Sequence, residues 1–148
     1  MATIDKTGCG PTYGKIPYAG LNKTYVISNT VDLTAQAMST DTYQCLAIPA
    51  GTVVSQVRVH MLTAAVGTTL TATVGDGSAT TGWDASEDHK GAAGTIYTSL
   101  VGTDTYAVGE TMGTYYATAD SIDVAYTVAT AITAGPKFRI SAVCIDCN

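Results

Sequence analysis

The sequence predicts an all-β fold, in which an extended N-terminal arm precedes a single β-sandwich or jelly-roll-like domain. Apolar and polar residues alternate with a period of two from Tyr25 onward, as in strands with one buried face. Gly and Pro separate the alternating segments, and no segment keeps an apolar helical stripe over three turns. A chain of 148 residues is long enough for one domain with its own core.

The composition predicts a surface that carries few charges. Only 13% of the residues are charged and 46% are hydrophobic, while the formal net charge is −5. Thr, Ser, Gly, Ala and Tyr must therefore cover much of the surface, and β-branched Thr suits a pleated sheet. The seven Lys and Arg residues are scattered along the chain, which argues against a nucleic acid partner.

The expected cellular compartment depends on two sequence features, a membrane-spanning segment and a signal peptide. No apolar run approaches the roughly 20 residues that cross a bilayer, and the polar start has no signal-peptide core. We therefore expect synthesis in a cytoplasm, no membrane partner, and reduced thiols at Cys9, Cys45, Cys144 and Cys147. The spacing of Cys144 and Cys147 also fits a pair of zinc ligands, and a disulfide is a further alternative.

Residues 1–23 are predicted to form the arm, because Gly and Pro recur there and no period of either kind is present. Tyr13, Ile16 and Tyr18 supply apolar contact points within it. We expect the arm to carry no core position and to become ordered on a neighbouring subunit by adding to a sheet edge. The alternative is a frayed terminus.

Residues 24–148 are predicted to form the body. Its eight or nine strands are expected at residues 25–28, 31–34, 43–48, 53–61, 68–74, 96–100, 115–117, 122–128 and 138–143. Asn29 marks a bend between the first two strands. Short helices are candidates only at residues 35–38 and 83–89.

The longest predicted strand is the one that follows the turn at Pro49 and Gly51. Val53, Val57, Val59 and Met61 are expected to share one face of it. The alternation slips between Val54 and Gln56, which predicts a β-bulge.

Residues 75–94 are predicted to be a long polar connection around Trp83, the only tryptophan. Trp83 is expected to pack either on this domain or on a neighbour, and we take Trp83, Tyr115 and Tyr116 as candidate interface residues. Four carboxylates in the connection could gather calcium, namely Asp76, Asp84, Glu87 and Asp88. Asp76 between two glycines also has an ordinary explanation as a tight turn.

Catalysis is not predicted. The only imidazole bases are His60 and His89, and neither belongs to a nucleophile signature. His60 is expected to be a solvated or interface strand residue, whereas His89 is placed in a polar loop. We therefore predict no catalytic site, no cofactor and no metal.

Four segments in succession resemble a known group of proteins. They are residues 25–33, residues 48–54, residues 74–77 followed by Gly82 and Trp83, and residues 115–122. This succession resembles the head decoration, or cement, proteins of tailed bacteriophages, over about residues 24–145. The terminal Cys-x-x-Cys departs from the family pattern.

The resemblance implies a sandwich that sits over junctions between subunits of the major capsid protein, with an arm that reaches onto the capsid. It implies self-association, as a homotrimer or a dimer, and a place on the outer capsid surface of the virion. Two rival functions remain at this point. One is a tail, neck or fibre structural protein, and the other is a carbohydrate-binding module that stacks sugars on Trp83 and tyrosines.

Overall fold

The computed structural model describes residues 3–5, 23–100, 113–129 and 131–147. In these ranges the chain forms ten strands and no helix, so none of them contains a helix that could cross a membrane. The strands are β1 Thr3–Asp5, β2 Thr24–Asp32, β3 Thr42–Ile48, β4 Thr52–Thr63, β5 Leu70–Gly75, β6 Asp84–Asp88, β7 Ile96–Leu100, β8 Thr114–Tyr116, β9 Asp120–Val128 and β10 Lys137–Asp146.

The described strands form two sheets. Sheet A has the order β1-β3-β9-β5-β6, and sheet B has the order β2-β10-β4-β7, with β8 also paired to β4. All these pairs are antiparallel except β1 with β3, which is parallel. Apart from β1 and β8, the chain passes between the two sheets in the order of a jelly roll. The predicted fold class is confirmed.

The core lies between the sheets, because each strand turns alternate side chains inward. Residues Leu46, Met61, Ile122 and Phe138 are fully enclosed. Two tyrosines belong to the same core, and the rings of Tyr43 and Tyr126 meet edge to face with centroids 5.6 Å apart. Such large rings bury much apolar area, which suits a protein that has little charge to stabilise it.

The turn between β3 and β4 was predicted from Pro49 and Gly51. Gly51 has a φ of 72°, a conformation that favours glycine, and its N–H donates a hydrogen bond to the carbonyl of Tyr116 at 2.8 Å. The turn therefore fixes the start of β4 against β8.

The bulge predicted in the long strand is present. In the pairing of β4 with β10, Gln56 opposes Val143 and Val54 opposes Cys144, so the register skips Ser55. Because a bulge shifts the alternation by one residue, Val54 faces the core and Val53 is only half-buried. The prediction that Val53 shares the inner face with Val57 is therefore wrong.

Asn29 does not form a bend. It lies inside the continuous strand β2, where it is buried and its side-chain amide donates to the carbonyl of Cys45 at 2.8 Å. A satisfied hydrogen bond of this kind lets a turn-forming residue occupy a strand interior. The two helix candidates do not form helices. Residues 35–38 form a turn, a bend and an isolated bridge, and residues 83–89 form chiefly β6.

Two strands were not predicted. Strand β6 lies within the segment that we expected to be a polar connection, and it pairs with β5. Strand β1 lies within the predicted arm, and Ile4 packs half-buried against the core. The expectation that residues 1–23 carry no core position is therefore wrong at Ile4.

Candidate interaction surface

The three aromatic residues expected at an interface lie in different environments. Tyr115 is 57% exposed, whereas Tyr116 and Trp83 are buried. The neighbours Tyr115 and Tyr116 point to opposite faces because they are successive residues of a strand. Trp83 therefore packs on its own domain, and only Tyr115 of the three has the exposure that a partner contact requires.

A buried hydrogen-bonded chain holds strand β8 in place. Trp83 Nε1 donates to the hydroxyl of Tyr116 at 3.3 Å, and that hydroxyl donates to Asp76 Oδ2 at 2.9 Å. The other carboxylate oxygen of Asp76 accepts the N–H groups of Ser78 and Ala79 in the predicted turn. This chain joins β8 of sheet B to the β5–β6 turn of sheet A, and it fixes Tyr115 facing outward.

Tyr115 borders an exposed apolar surface, which we call the outer apolar patch. The patch comprises Val26 of β2, Val53 of β4, Tyr115 of β8, and Val143 and Ile145 of β10. The strand register makes it continuous, since Val143 opposes Val26, and Val53 opposes both Ile145 and Tyr115. Val26 is 64% exposed and the residues of β4 and β10 are half-buried.

The patch has a sequence cause. Along the second half of β10, residues 142–145 are all apolar, so both faces of the strand are apolar there. Ala142 and Cys144 fill the core, which leaves Val143 and Ile145 on the outside. A contiguous apolar group on a charge-poor protein is typical of a protein contact site.

Basic residues lie beside the patch on the same face of sheet B. Arg58 and Arg139 are exposed, and Arg139 opposes the half-buried His60 across β4 and β10. Lys137 forms an ion pair with Asp32 at 2.9 Å, and hydrogen bonds from Thr34 and Lys137 lower the pKa of that carboxyl to about 2. The fold thus gathers basic residues that are scattered in the sequence.

Acidic residues are concentrated on sheet A. Six of the twelve lie on β5, β6, β9 and their turns, namely Asp76, Asp84, Glu87, Asp88, Asp120 and Asp123. Asp76, Glu87 and Asp123 are buried among these, which leaves Asp84, Asp88 and Asp120 at least partly exposed. Exposed acidic groups on sheet A and the arginines beside the patch on sheet B can orient a protein toward a surface of complementary charge.

The carboxylates considered as calcium ligands do not converge on one site. Asp76 is buried in its turn, while Asp84 and Asp88 each accept a backbone N–H two residues on, at 2.9 Å. Among the described residues, no group of three or more His, Cys, Asp or Glu side chains is arranged to hold a metal ion.

His89 lies in the turn that follows β6, within the predicted polar loop, but its side chain does not face solvent. It is fully buried, with Nε2 at 2.7 Å from Glu87 Oε2 and Nδ1 at 2.7 Å from the hydroxyl of Tyr126. Phe138 packs on the imidazole with a centroid separation of 5.2 Å. We call Glu87, His89 and Tyr126 the buried triad.

The buried triad is closed to substrates. Burial raises the pKa of Glu87, and the hydrogen bond and charge of His89 oppose that rise. Burial also raises the pKa of Tyr126 well above its usual range, so the phenol stays neutral. A base that solvent cannot reach serves packing and stability, because catalysis requires contact with a substrate.

The cysteines occupy two environments. Cys144 is a buried free thiol and Cys147 an exposed one, while Cys45 is buried and its thiol donates to the carbonyl of Tyr43 at 3.2 Å. Burial raises the pKa of Cys144 to about 12, which keeps it protonated. Cys9 lies outside the described residues, as do Tyr13, Ile16 and Tyr18 of the predicted arm.

Asp123 gives a pH-dependent prediction. Burial, with Asp120 and Asp76 nearby, raises its pKa from 3.8 to about 6, although a hydrogen bond from Ser121 lowers it. The folded protein therefore binds an extra proton between those values, and this stabilisation is lost as the pH rises through 6. We expect Asp123→Asn to be about 1 kcal/mol more stable than wild type at pH 7.5, allowing for partial solvent screening.

Urea unfolding at pH 4 and at pH 7.5 tests that expectation. The difference between the variant and wild type should be much smaller at pH 4, because Asp123 is then protonated in the folded state and partly protonated in the unfolded state. Ser121→Ala is the matched control for loss of the hydrogen bond alone. A wild-type advantage at pH 7.5 would contradict the assigned direction of the shift.

Comparisons with known proteins agree on the fold. Neither a protein-family model nor a curated protein matches the chain. A chain in the capsid structure of Ralstonia phage GP4 is similar to it with a TM-score of 0.70 and 13% identity, over 97% of each chain. A chain in the capsid asymmetric unit of Cyanophage Pam1 has a TM-score of 0.62 and 17% identity, over 91% of this chain and 92% of that one.

A third similar chain belongs to the acidic stable capsid structure of Helicobacter pylori bacteriophage KHP30. Its TM-score is 0.57 and its identity 12%, over 82% of this chain and 86% of that one. At such identities the likeness establishes a common fold. The chain therefore shares its jelly roll, over most of its length, with chains found in phage capsid structures.

Proposed function

We propose that this chain is a phage head decoration protein, which binds the outer capsid surface and stabilises it by bridging neighbouring subunits of the major capsid protein. The observation that carries the proposal is the likeness of nearly the whole chain to a chain of a phage capsid structure. The outer apolar patch, on a charge-poor protein, supports a role in binding other proteins.

The physical basis of the stabilisation is linkage. A protein that binds only the assembled shell lowers the free energy of that shell by its own binding free energy, once for each copy bound. Contacts to two adjacent subunits add to one another through a high effective concentration. Contacts of moderate affinity through a small patch are therefore sufficient to stabilise the shell.

The outer face of sheet B fits the docking role better than the opposite sheet. Its apolar residues can be buried without desolvating charges, while Arg58 and Arg139 lie at the border, where exposed charges steer association. We infer that the partner surface is apolar with acidic residues around it. Sheet A, with its acidic groups, then faces away from the capsid.

The arm is proposed to extend the docking site. We expect the triple variant Tyr13→Ser, Ile16→Ser, Tyr18→Ser to bind capsids about tenfold more weakly, because apolar anchors contribute roughly 1 kcal/mol or more in total. This variant keeps Ile4, so its body should retain the thermal stability of wild type. Sedimentation with undecorated capsids measures binding, and unchanged affinity would exclude the arm from docking.

Cryo-electron microscopy of the intact virion tests the proposed function itself. Density for this jelly roll on the outer shell, between capsid subunits, would support the decoration role. Density in the tail, neck or fibres would move the chain to the rival structural role. The carbohydrate-binding rival loses Trp83 from its proposed stacking platform, because the ring is enclosed by its own domain, while Tyr115 stays exposed.

A further inference from the structure

The edge of sheet A accepts a strand from the N-terminus of the chain. Residues Thr3, Ile4 and Asp5 of β1 pair in parallel with Thr42, Tyr43 and Gln44 of β3. Ile4 is half-buried against the core. The β3 edge is therefore a binding site for a short extended strand, with one apolar side chain as its anchor.

Strand β3 requires such a cover. Its seven residues contain no charged residue and no Pro, which are the features that usually protect a sheet edge from pairing with other chains. Without β1, this edge would present unpaired backbone groups next to the buried ring of Tyr43. In the structure, β1 covers β3 of the same chain. The same contacts could form with β1 of another copy.

The connection from β1 to the body is long enough to reach another copy. Residues 6–22 lie between β1 and Lys23, and at most about 3.3–3.6 Å per residue they span up to roughly 60 Å. The body of residues 24–148 has an expected radius of gyration of about 14 Å. A neighbour in contact with the body therefore lies within reach of β1.

Exchange between copies costs little. The same three residue pairs and the same Ile4 contact form whether β1 comes from its own chain or from another. A connection of 17 residues gives the intramolecular arrangement only a modest entropic advantage, and neighbours held together by other contacts remove it. Head-to-tail exchange around a ring would give every copy of β3 a β1 partner at Thr42, Tyr43 and Gln44.

We propose that β1 is exchanged between copies of this protein, so that β1 of one subunit pairs with β3 of the next in a closed oligomer. This inference goes beyond the proposed function, since it concerns contacts of the chain with itself and requires no capsid. The partner that the β3 edge recognises is the N-terminal strand of a second copy.

Cysteine crosslinking of the full chain distinguishes the two arrangements. In a background of Cys9→Ser and Cys147→Ser, we would introduce Thr3→Cys and Gln44→Cys, which lie on paired strands. The remaining Cys45 and Cys144 are buried. After reaction with a short bis-maleimide, exchanged strands give products at a multiple of the chain mass on a denaturing gel, whereas unexchanged strands give the mass of a single chain.

A mixing experiment supplies the second readout. A tagged chain with Thr3→Cys alone is refolded together with an untagged chain with Gln44→Cys alone, and a product that contains both chains is expected. Thr3→Cys paired with Val66→Cys is the control for random collisions, because Val66 is exposed and its bridge partner is Ala134, which belongs to neither β1 nor β3. The variant Ile4→Lys should abolish both the mixed product and the oligomer while the body stays folded by circular dichroism.

Crosslinking only within single chains, or a protein that is monomeric at every concentration, overturns the proposal. So does an oligomer that persists unchanged in Ile4→Lys. Since these measurements use the isolated protein, their outcome is separate from whether the chain decorates capsids.

Discussion

Replacing His89 with Ala is expected to lower the free energy of unfolding by about 3–5 kcal/mol. The substitution leaves the buried carboxyl of Glu87 without the imidazole that lies 2.7 Å away, and it removes the partner of the Tyr126 hydroxyl. It also opens a cavity beside Phe138. The midpoint of thermal unfolding should fall by about 10 °C or more, as measured by calorimetry.

The buried triad also predicts how the stability of the His89→Ala variant changes with pH. Because burial raises the pKa of Glu87, the folded state takes up a proton more readily than the unfolded state. Without His89 this preference grows, and its stabilising contribution is present at low pH and lost as the pH rises. The deficit of the His89→Ala variant should therefore shrink between pH 7.5 and pH 5.

Two further variants separate the charge of Glu87 from the packing of the triad. Glu87→Gln keeps the shape and an oxygen acceptor, and it should change the stability by no more than about 1 kcal/mol. The double variant Glu87→Gln, His89→Ala should be more stable than His89→Ala alone, since no buried charge is left unpaired. A loss below about 1 kcal/mol in His89→Ala would show that the triad does not stabilise the fold.

The sequence predicted the strands that have one apolar face. Strand β5 and the first half of β10 alternate clearly, because their inner residues fill the core and their outer residues are less buried. Strand β6 was missed because its only inward side chain is Glu87, a polar residue in a core position. Periodicity of apolar residues cannot detect a strand whose buried side chain is satisfied by a hydrogen bond.

The candidate interaction surface contains one residue that the sequence analysis singled out. Tyr115 was a candidate, but Val26, Val53, Val143 and Ile145 join it through pairing between strands that are distant in sequence. The apolar run at residues 142–145 was a local signal for this surface, because a strand with one solvated face should alternate there. The alternation of apolar residues does not determine which strands pair with β10, so the other members of the patch could not be predicted from it.

Trp83 packs on its own domain, which is one of the two alternatives that the sequence left open. Its ring is enclosed although its neighbours in sequence are polar, and its N–H reaches Tyr116 at 3.3 Å. A large residue in a connection can still enter the core when the connection folds back over the sheet end, as the Trp83 N–H bond to the Val74 carbonyl shows here. Exposure of such a residue follows from tertiary contacts and not from the hydropathy of its neighbours.

Replacing Val26 with Glu is expected to weaken capsid binding by about 2 kcal/mol, or roughly 30-fold in Kd. The substitution places a carboxylate within a surface that would be buried against an apolar partner, where it has no counterion. Val26 is 64% exposed in the free protein, so the folded body should keep its stability. Tyr115→Ala should weaken binding in the same way, through loss of an aromatic anchor.

Val66→Glu is the matched control for Val26→Glu. Val66 is 58% exposed, so both variants place the same new charge at a similarly exposed valine, but Val66 pairs with Ala134, away from the end of β10 that carries the patch. Binding of both variants to undecorated capsids, with thermal unfolding as the test of folding, decides between two surfaces. If Val26→Glu binds as wild type and a charge reversal at Asp84 or Asp88 weakens binding, the acidic face of sheet A is the docking surface. If Val26→Glu alone loses affinity, the patch contacts the capsid, and the shell lies against sheet B.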